Sequence, residues 1–446
     1  MKETFEEALS SQFGQFQPIV LRTLRSAVTK NALSLYSIQF ANYLLPLITI
    51  PYLVRVLRPE RFGTVAFGQG LMAYFMTLVE YGFSYSATRR ISADRENRTL
   101  VSTVAANVMA ARLLLSVASF MVLLGLVHFI PRIHEVGTLL YVLFGSVVGT
   151  ALFPSWLFQG LERMASISVI NLSVRFAGVL ALFIVVRRPE DFLAYGALIS
   201  AQALVAGIAG VWFAFKRFHL HVVRPTWSGV LESMKEGWII FLSGSAVTLY
   251  TSGNAFILGM LTNDVVVGYF SAADRVVRAA MSLLGPISQA AYPRFSKMAV
   301  ESKEMALKWA RRMLFLMGGA GLFISLGVLI FAGLVADIVL GARFHASGPA
   351  MRILALLPVF VTISNVLGVQ ILFPFKQDRV VLISVLVGAV VNIGLAFLLA
   401  PPFQSNGMAA SAVVAEFLVT ATQFYYVDRL GLNPLRRMNR QSNLAG

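Results

Sequence analysis

MLFLMGGAGLFISLGVLIFAGLVA (313–336) runs for 24 residues without a charge, between Arg312 and Asp337. The hydrocarbon core of a bilayer is about 30 Å thick and takes roughly 20 mostly apolar residues per crossing helix. The run therefore reads as a membrane span. Working outward, eleven further apolar runs, broken by charges or by Pro/Gly clusters, fall at about 33–54, 64–86, 100–128, 137–158, 165–186, 192–215, 238–261, 266–292, 349–374, 380–400 and 407–427. Composition agrees, with 57% hydrophobic and 13% charged residues and a mean hydropathy of +0.74. Soluble domains do not have this balance. An all-α integral membrane protein of about twelve spanning helices is the expected fold class.

The net charge of +16 is spread over short tracts between apolar runs, which argues against nucleic acid as a partner. With the N-terminus placed in the cytoplasm, 25 of the 37 basic residues fall on cytoplasmic segments, 7 on the opposite side, and five inside predicted helices. This asymmetry predicts an N-in, C-in topology. There is no cysteine, so disulfides are excluded. The first 30 residues are polar and acidic before turning weakly basic, and no cleavable signal is expected there. Ile19, Val20, Leu24, Ala27 and Val28, with Arg22, Arg25 and Lys30 opposite, suit either an amphipathic surface helix or an unstructured tail.

The longest hydrophilic connection, 216–237, divides the chain into two sets of six runs. RFGTVAFGQGL (61–71) and VVGYFSAADRV (266–276) hold the same place in each half, as do AYGALISAQ (194–202) and SNGMAASAV (405–413). Such self-similarity predicts duplicated, parallel six-helix lobes around a central cavity. The expected organisation is an N-terminal extension (1–30), an N-lobe (31–215), the inter-lobe loop (216–237), a C-lobe (238–427) and a cytoplasmic tail (428–446).

A charge at a helix centre costs about 2.5–3.5 kcal/mol on insertion scales, so intramembrane charges are functional candidates. Asp274 and Arg278 stand four apart on one helix face. They suit a self-neutralising pair or a cavity wall on which Arg278 binds an anion and Asp274 a coupling cation. Asn171 and Arg175 repeat the spacing with no compensating acid. A guanidinium there fits pyrophosphate, unless it snorkels or pairs across helices. Arg112 lies near mid-helix, and Arg352 at a helix end reads as interfacial. Glu80, Glu162 and Glu416 complete the acids, and Glu416 starts a stripe with Thr420 and Gln423. That stripe suits a proton or sodium site or a helix-packing hydrogen bond. Tyr36, Gln39 and Tyr43 form a stripe fit for sugar rings or for packing. The five histidines stand in or near loops without metal-ligand spacing, and no nucleotide-binding P-loop occurs. No enzyme, cofactor or metal site is expected.

Several phrases together resemble the Wzx-type polysaccharide flippases of the multidrug/oligosaccharidyl-lipid/polysaccharide exporter superfamily. They are NALSLYSIQFANYLLPLITIPYLVRVL (31–57), ERFGTVAFGQGLMAYF (60–75), EYGFSYSATRRIS (80–92), PSWLFQGLERM (154–164), and AADRVVRA through PISQAAYPRFSKM (272–298). The resemblance implies a bacterial inner-membrane protein that flips undecaprenyl-pyrophosphate-linked sugar repeats through a cationic cavity, coupled to protons or sodium. By motif it carries Arg55, Glu80, Arg89, Gln159, Glu162, Arg275 and Arg278. Polymerase and chain-length proteins of the same pathway are the implied partners. Arg58 departs from the glycine usual after R-V-L, and the N-terminal extension of about 20 residues is a second departure. Substrate contact is expected from Arg112, Arg175, Arg275, Arg278, Asn171, Gln39, Gln159, Tyr36 and Tyr43, and coupling or gating from Asp274, Glu80, Glu416, Glu162, Arg55 and Arg89. A related exporter, for drugs or for the peptidoglycan-precursor lipid, is the nearest alternative, although the precursor flippase is expected to carry two more helices. A membrane-embedded glycan polymerase or ligase would need a longer outer loop than any here.

Overall fold

The computed structural model describes residues 27–218 and 220–436; the side chains of 27–44, 46, 47, 286, 289, 290, 293 and 294 lie outside the description. Tyr36, Gln39 and Tyr43 thus fall on helical backbone, but the stripe proposed for their side chains lies outside the described residues, as does most of the N-terminal extension.

Among the described residues all regular structure is helical. In chain order the helices are α1 (Ala27–Glu80), α2 (Phe83–Ala93), α3 (Arg98–Phe129), α4 (Pro131–His134), α5 (Gly137–Leu152), α6 (Ser155–Gly160), α7 (Met164–Val185) and α8 (Phe192–Phe218). The second half holds α9 (Trp227–Tyr250), α10 (Asn254–Leu261), α11 (Asp264–Ser282), α12 (Gly285–Glu301), α13 (Lys303–Val335), α14 (Ser347–Leu354), α15 (Leu357–Asn365) and α16 (Asp378–Arg429).

Eight helical stretches among the described residues are long and apolar enough to cross a membrane. Two of them hold more than one crossing's worth of chain. In α16, Pro401 and Pro402 cannot continue the hydrogen-bond ladder, and Gln404 takes φ 52°, ψ −128°. The chain reverses there: a Cβ at Gly407 would lie 2.0 Å from the Leu399 carbonyl oxygen, whereas eight residues of continuous helix span about 12 Å. Arg58, at φ 61°, ψ 166° before Pro59, interrupts α1 in the same way. The runs expected at 238–261 and 266–292 are not among the eight stretches. The first is split between α9 and α10. The second is split between α11 and α12, and Asp274, Arg275 and Arg278 make α11 amphipathic. The connection expected over 216–237 is shorter than the sequence suggests, because α8 runs to Phe218 and α9 begins at Trp227, capped by the Thr226 hydroxyl.

Helix α13 displays the pattern a bilayer imposes. Phe315, Leu322, Phe323 and Ile330 face outward, while Gly321, Ser325 and Ala332 are buried. Lipid tails are as apolar as leucine, so burying leucine against protein gains little, and small residues that let backbones approach are favoured inside. The same device locks α5 to α8. A Cβ at Gly149 would sit 2.3 Å from the Ala203 carbonyl carbon, and one at Gly207 would sit 2.6 Å from the Gly149 carbonyl oxygen. The repeated segments of the two halves also meet at equivalent positions, where a Cβ on Gly63 would lie 2.7 Å from the Gly268 nitrogen.

Gly149→Ala should lower the midpoint of thermal unfolding in detergent, at a cost of about 1–3 kcal/mol. Gly319→Ala meets nothing within 4 Å and should leave the midpoint unchanged; equal effects from both would refute close α5–α8 packing.

Candidate functional site

Two cavities with charged side chains in their walls lie between the helices, one in each half of the chain. The first has a volume of about 280 Å³ and is lined by Glu80, Arg112, Asn171, Arg175 and Gln202. Helix α7 presents Asn171 and Arg175 on one face, one turn apart, and Arg175 Nε donates to Asn171 Oδ1 at 3.1 Å. Arg175 is exposed, so its guanidinium reaches the opening. Glu80 is close enough to Arg112 to interact electrostatically.

Arg112 itself is 3% exposed and occupied with protein. Its guanidinium donates to the carbonyls of Thr150 at 2.6 Å and Phe153 at 2.8 Å. Pro154 breaks the helix between α5 and α6, which leaves the last carbonyls of α5 in need of donors. Arg112 supplies them, and its positive charge suits a helix C-terminus. Arg112 thus caps a helix end while lining the cavity.

The second cavity, of about 230 Å³, is lined by Tyr250, Arg278, Ser364, Asn365, Glu416 and Gln423. Arg278 Nε donates to both carboxylate oxygens of Asp274, at 2.8 and 2.7 Å. Glu416, 6% exposed, accepts from Ser364 Oγ at 2.8 Å and from the Tyr250 hydroxyl, and lies within electrostatic reach of Arg278. The stripe below Glu416 closes on itself through Thr420, whose hydroxyl donates to the carbonyls of Glu416 at 2.9 Å and Phe360 at 3.1 Å. Gln423 Oε1 is buried with no partner among the described residues. The cavity wall therefore carries one cation, Arg278, one carboxylate, Glu416, and the amides of Asn365 and Gln423, with Asp274 paired to Arg278 beside it.

Arg275 does not join Arg278. Its Nη2 donates to Gln69 Oε1 at 2.5 Å and its guanidinium stacks 4.9 Å from the Phe62 ring centroid, so it binds α11 to α1. The four arginines expected in a single cavity are divided among two cavities and a helix interface. The positions three residues apart on α11 explain the split, since they point about 60° apart around a helix of 3.6 residues per turn.

Of the remaining candidates, Gln159 and Arg89 are exposed, and Glu162, at φ 56°, pairs with Arg95. Arg55 donates to the Ile338 carbonyl, tying α1 to the turn after α13. Near it, Asp264 was not foreseen as a junction: it accepts from Thr64 Oγ1 at 2.7 Å and from Arg132, and Arg132 Nε also donates to the Gly259 carbonyl at 3.2 Å. An acid at the first position of a helix reads as a dipole partner, and nothing local signals its distant partners. Tyr250, Ser364, Asn365 and Gln202 likewise carried no signal beyond being polar residues in apolar runs. Among the described residues no group of three or more His, Cys, Asp or Glu could hold a metal ion.

Arg112→Ala should lower thermal stability by about 3 kcal/mol, because it leaves two carbonyls unpaired at a buried helix end. Arg112→Lys, which keeps the charge and one of the bonds, should lose less than half of that. An Arg112→Ala protein as stable as the wild type would refute the capping role.

With this geometry in hand, known proteins supply the context. Residues 28–299 match the family described as polysaccharide biosynthesis protein. A "Putative O-antigen transporter" of Escherichia coli strain K12 is 30% identical over 410 residues, 91% of this chain and 98% of that protein. Another of the same name, from Shigella dysenteriae, is 32% identical over 394 residues, 87% of this chain and 97% of that protein. Among solved structures, the lipid II flippase MurJ in an inward closed conformation superposes with a TM-score of 0.69 at 14% identity, covering 90% of each chain. An inward-facing multidrug-resistance MATE transporter of the MOP superfamily does so with 0.64 at 15% identity, covering 88% of this chain and 94% of that one. The fold is theirs, and the motif phrases, the family match and the two transporter relatives agree. The chain belongs to the polysaccharide biosynthesis protein family of membrane transporters.

Proposed function

We propose that this protein flips undecaprenyl-pyrophosphate-linked oligosaccharide repeat units from the cytoplasmic to the periplasmic leaflet of a bacterial inner membrane. The observation that carries the reading is the placement of Arg175 and Arg278 at intramembrane cavities, each held by its own helix neighbour. A guanidinium binds phosphate oxygens with a planar fork of donors, and keeping one in a membrane is costly unless an anion or water meets it. The names of the two relatives favour an oligosaccharide cargo over a drug or a peptidoglycan precursor.

The mechanism is alternating access between the two six-helix halves, 31–215 and 238–427. The sugar–pyrophosphate head occupies the space between them while the polyprenyl tail stays in lipid. In the N-in topology, the contacts of Arg132 and Thr64 with Asp264 and of Arg55 with the Ile338 carbonyl lie at the periplasmic end. They act as the outer gate, and the glycine contact of Gly63 with Gly268 is its pivot. Glu416, with Asp274 nearby, takes up the coupling proton or sodium ion, because an added cation there relieves the burial of a second carboxylate beside a single arginine.

Transport in proteoliposomes with an imposed ion gradient tests both assignments. Arg175→Ala should reduce flipping about tenfold to a hundredfold, corresponding to one charge-assisted bond of about 1.5–3 kcal/mol, and Arg278→Glu should reduce it to background with the protein still in the membrane. Glu416→Gln should keep cargo binding and lose the response to the gradient. Normal flipping by Arg278→Glu would end the anion-binding reading, and an intact gradient response in Glu416→Gln would end the coupling reading.

The natural chain has no cysteine, so the gate can be tested directly. Thr64→Cys together with Asp264→Cys, oxidised to a disulfide, should stop flipping, and reductant should restore it. Undiminished transport by the crosslinked protein would rule out opening at this end.

A further inference from the structure

Two further cavities lie end to end at the side of α3 away from the gate. One, about 260 Å³, is apolar and runs between α3, α6 and α8, with Ala106, Met109, Trp156, Leu157 and Phe215 among its walls. The other, about 610 Å³, is a charged cleft that brings Arg95, Arg98, Arg163 and Arg217 together with Glu96 and Glu162. They share Leu220, and the chain passes from one to the other within about a turn at three places: Val101 to Ser102 on α3, Leu157 on α6 to Leu161 just after it, and Arg217 to Ala214 on α8. The extended segment after α8 closes one side of the apolar cavity. It is pinned to α3 by the His221 backbone N–H donating to Ser102 Oγ at 3.1 Å and by the Thr226 N–H donating to Asn107 Oδ1 at 2.9 Å.

From these observations we propose that the paired cavities form a binding site for an anionic phospholipid of the inner leaflet, with its phosphate headgroup in the arginine cleft and one acyl chain in the apolar cavity. The charge asymmetry of the loops places the cleft at the cytoplasmic face. Charge favours an anion: four guanidiniums face two carboxylates, one of which, Glu162, is already paired with Arg95. Length favours a lipid. From Arg98 in the cleft to Leu113 in the apolar cavity α3 runs 15 residues, about 22 Å at 1.5 Å per residue, which is the depth of one leaflet with its headgroup region. Access favours the bilayer over the cytosol, since Leu113, Phe215 and Val222, which line the apolar cavity, are 40%, 45% and 90% exposed. Basic pockets between helices at the cytoplasmic face are suited to lipid headgroups. The site shares no lining residue with the Arg175 cavity.

Trp156, one of five tryptophans, reports on the apolar cavity. In a protein carrying Trp212→Phe, Trp227→Phe, Trp238→Phe and Trp309→Phe, reconstituted in phosphatidylcholine, brominated phosphatidylglycerol should quench Trp156 at a lower mole fraction than brominated phosphatidylcholine. Arg98→Gln with Arg217→Gln should raise the half-quenching mole fraction by about fivefold per arginine, and Ala106→Phe should weaken quenching by both lipids by filling the cavity. Equal quenching by the two headgroups, or a preference untouched by the arginine pair, would overturn the proposal. So would displacement of the bromolipid by undecaprenyl phosphate at far lower mole fraction than by unlabelled phosphatidylglycerol, which would assign the site to the cargo lipid. Should the Phe variant fail to fold, the arginine pair still decides.

Discussion

The bilayer offers no hydrogen-bond partner, and most of this structure follows from that constraint. Backbone groups are satisfied within helices, so the described chain is helical from Ala27 to Arg429 apart from short connections. Side chains cannot earn stability by escaping water, so close approach at glycines replaces apolar burial as the cement between helices. Charges must be turned inward and given partners. Arg112 has two carbonyls, Arg278 a carboxylate, Arg275 an amide and a ring, and Arg132 a carboxylate and a carbonyl. The variety of these partners is itself informative. Carbonyl and amide partners fix a charge in a structural place, whereas Arg278, Asp274 and Glu416 form a set of ionisable groups whose balance changes with each added ion.

Helix α11 concentrates these roles. Its first residue, Asp264, ties it to α1 and to Arg132; Gly268 abuts the α1 backbone; Arg275 reaches Gln69; and Arg278 turns away toward Tyr250 and Glu416. A single helix thereby touches the seam between the halves on one side and a titratable cavity on the other. The segment it meets on α1 is its counterpart in the sequence repeat.

Much of this was legible in the sequence, and what escaped has definite causes. The class of fold was visible in runs such as 313–336, because lipid exposure leaves an apolar surface that no soluble helix carries. The segments 61–71 and 266–276 resemble each other in sequence, and they meet in space at Gly63 and Gly268. The Asp274–Arg278 and Asn171–Arg175 pairs were visible because helix geometry alone brings positions four apart together. Arg275 stands at a helix interface and Arg112 at a helix end beside the Arg175 cavity, because a lone arginine in an apolar run says only that it needs a partner. Whether that partner is a ligand, a frayed helix end or an amide on another helix is decided by packing. Tyr250 and Ser364 were missed for the converse reason: neutral side chains of low transfer cost leave no mark in hydropathy, and their value here comes from standing beside Glu416.

The separation of the two arginine cavities bears on how an anion could be moved at all. A single site that bound pyrophosphate tightly in every state would hold it, because equal affinity in two conformations shifts nothing. Arg175 and Arg278 sit in different halves and answer to different neighbours, an amide in one case and a carboxylate in the other. The carboxylate can be neutralised by a cation while the amide cannot. The positive potential offered by the Arg278 side therefore depends on whether Asp274 and Glu416 are occupied. An ion entering at Glu416 would strengthen one half's hold on an anion relative to the other's. Such a difference, tied to conformation, is the free energy that a coupled carrier requires.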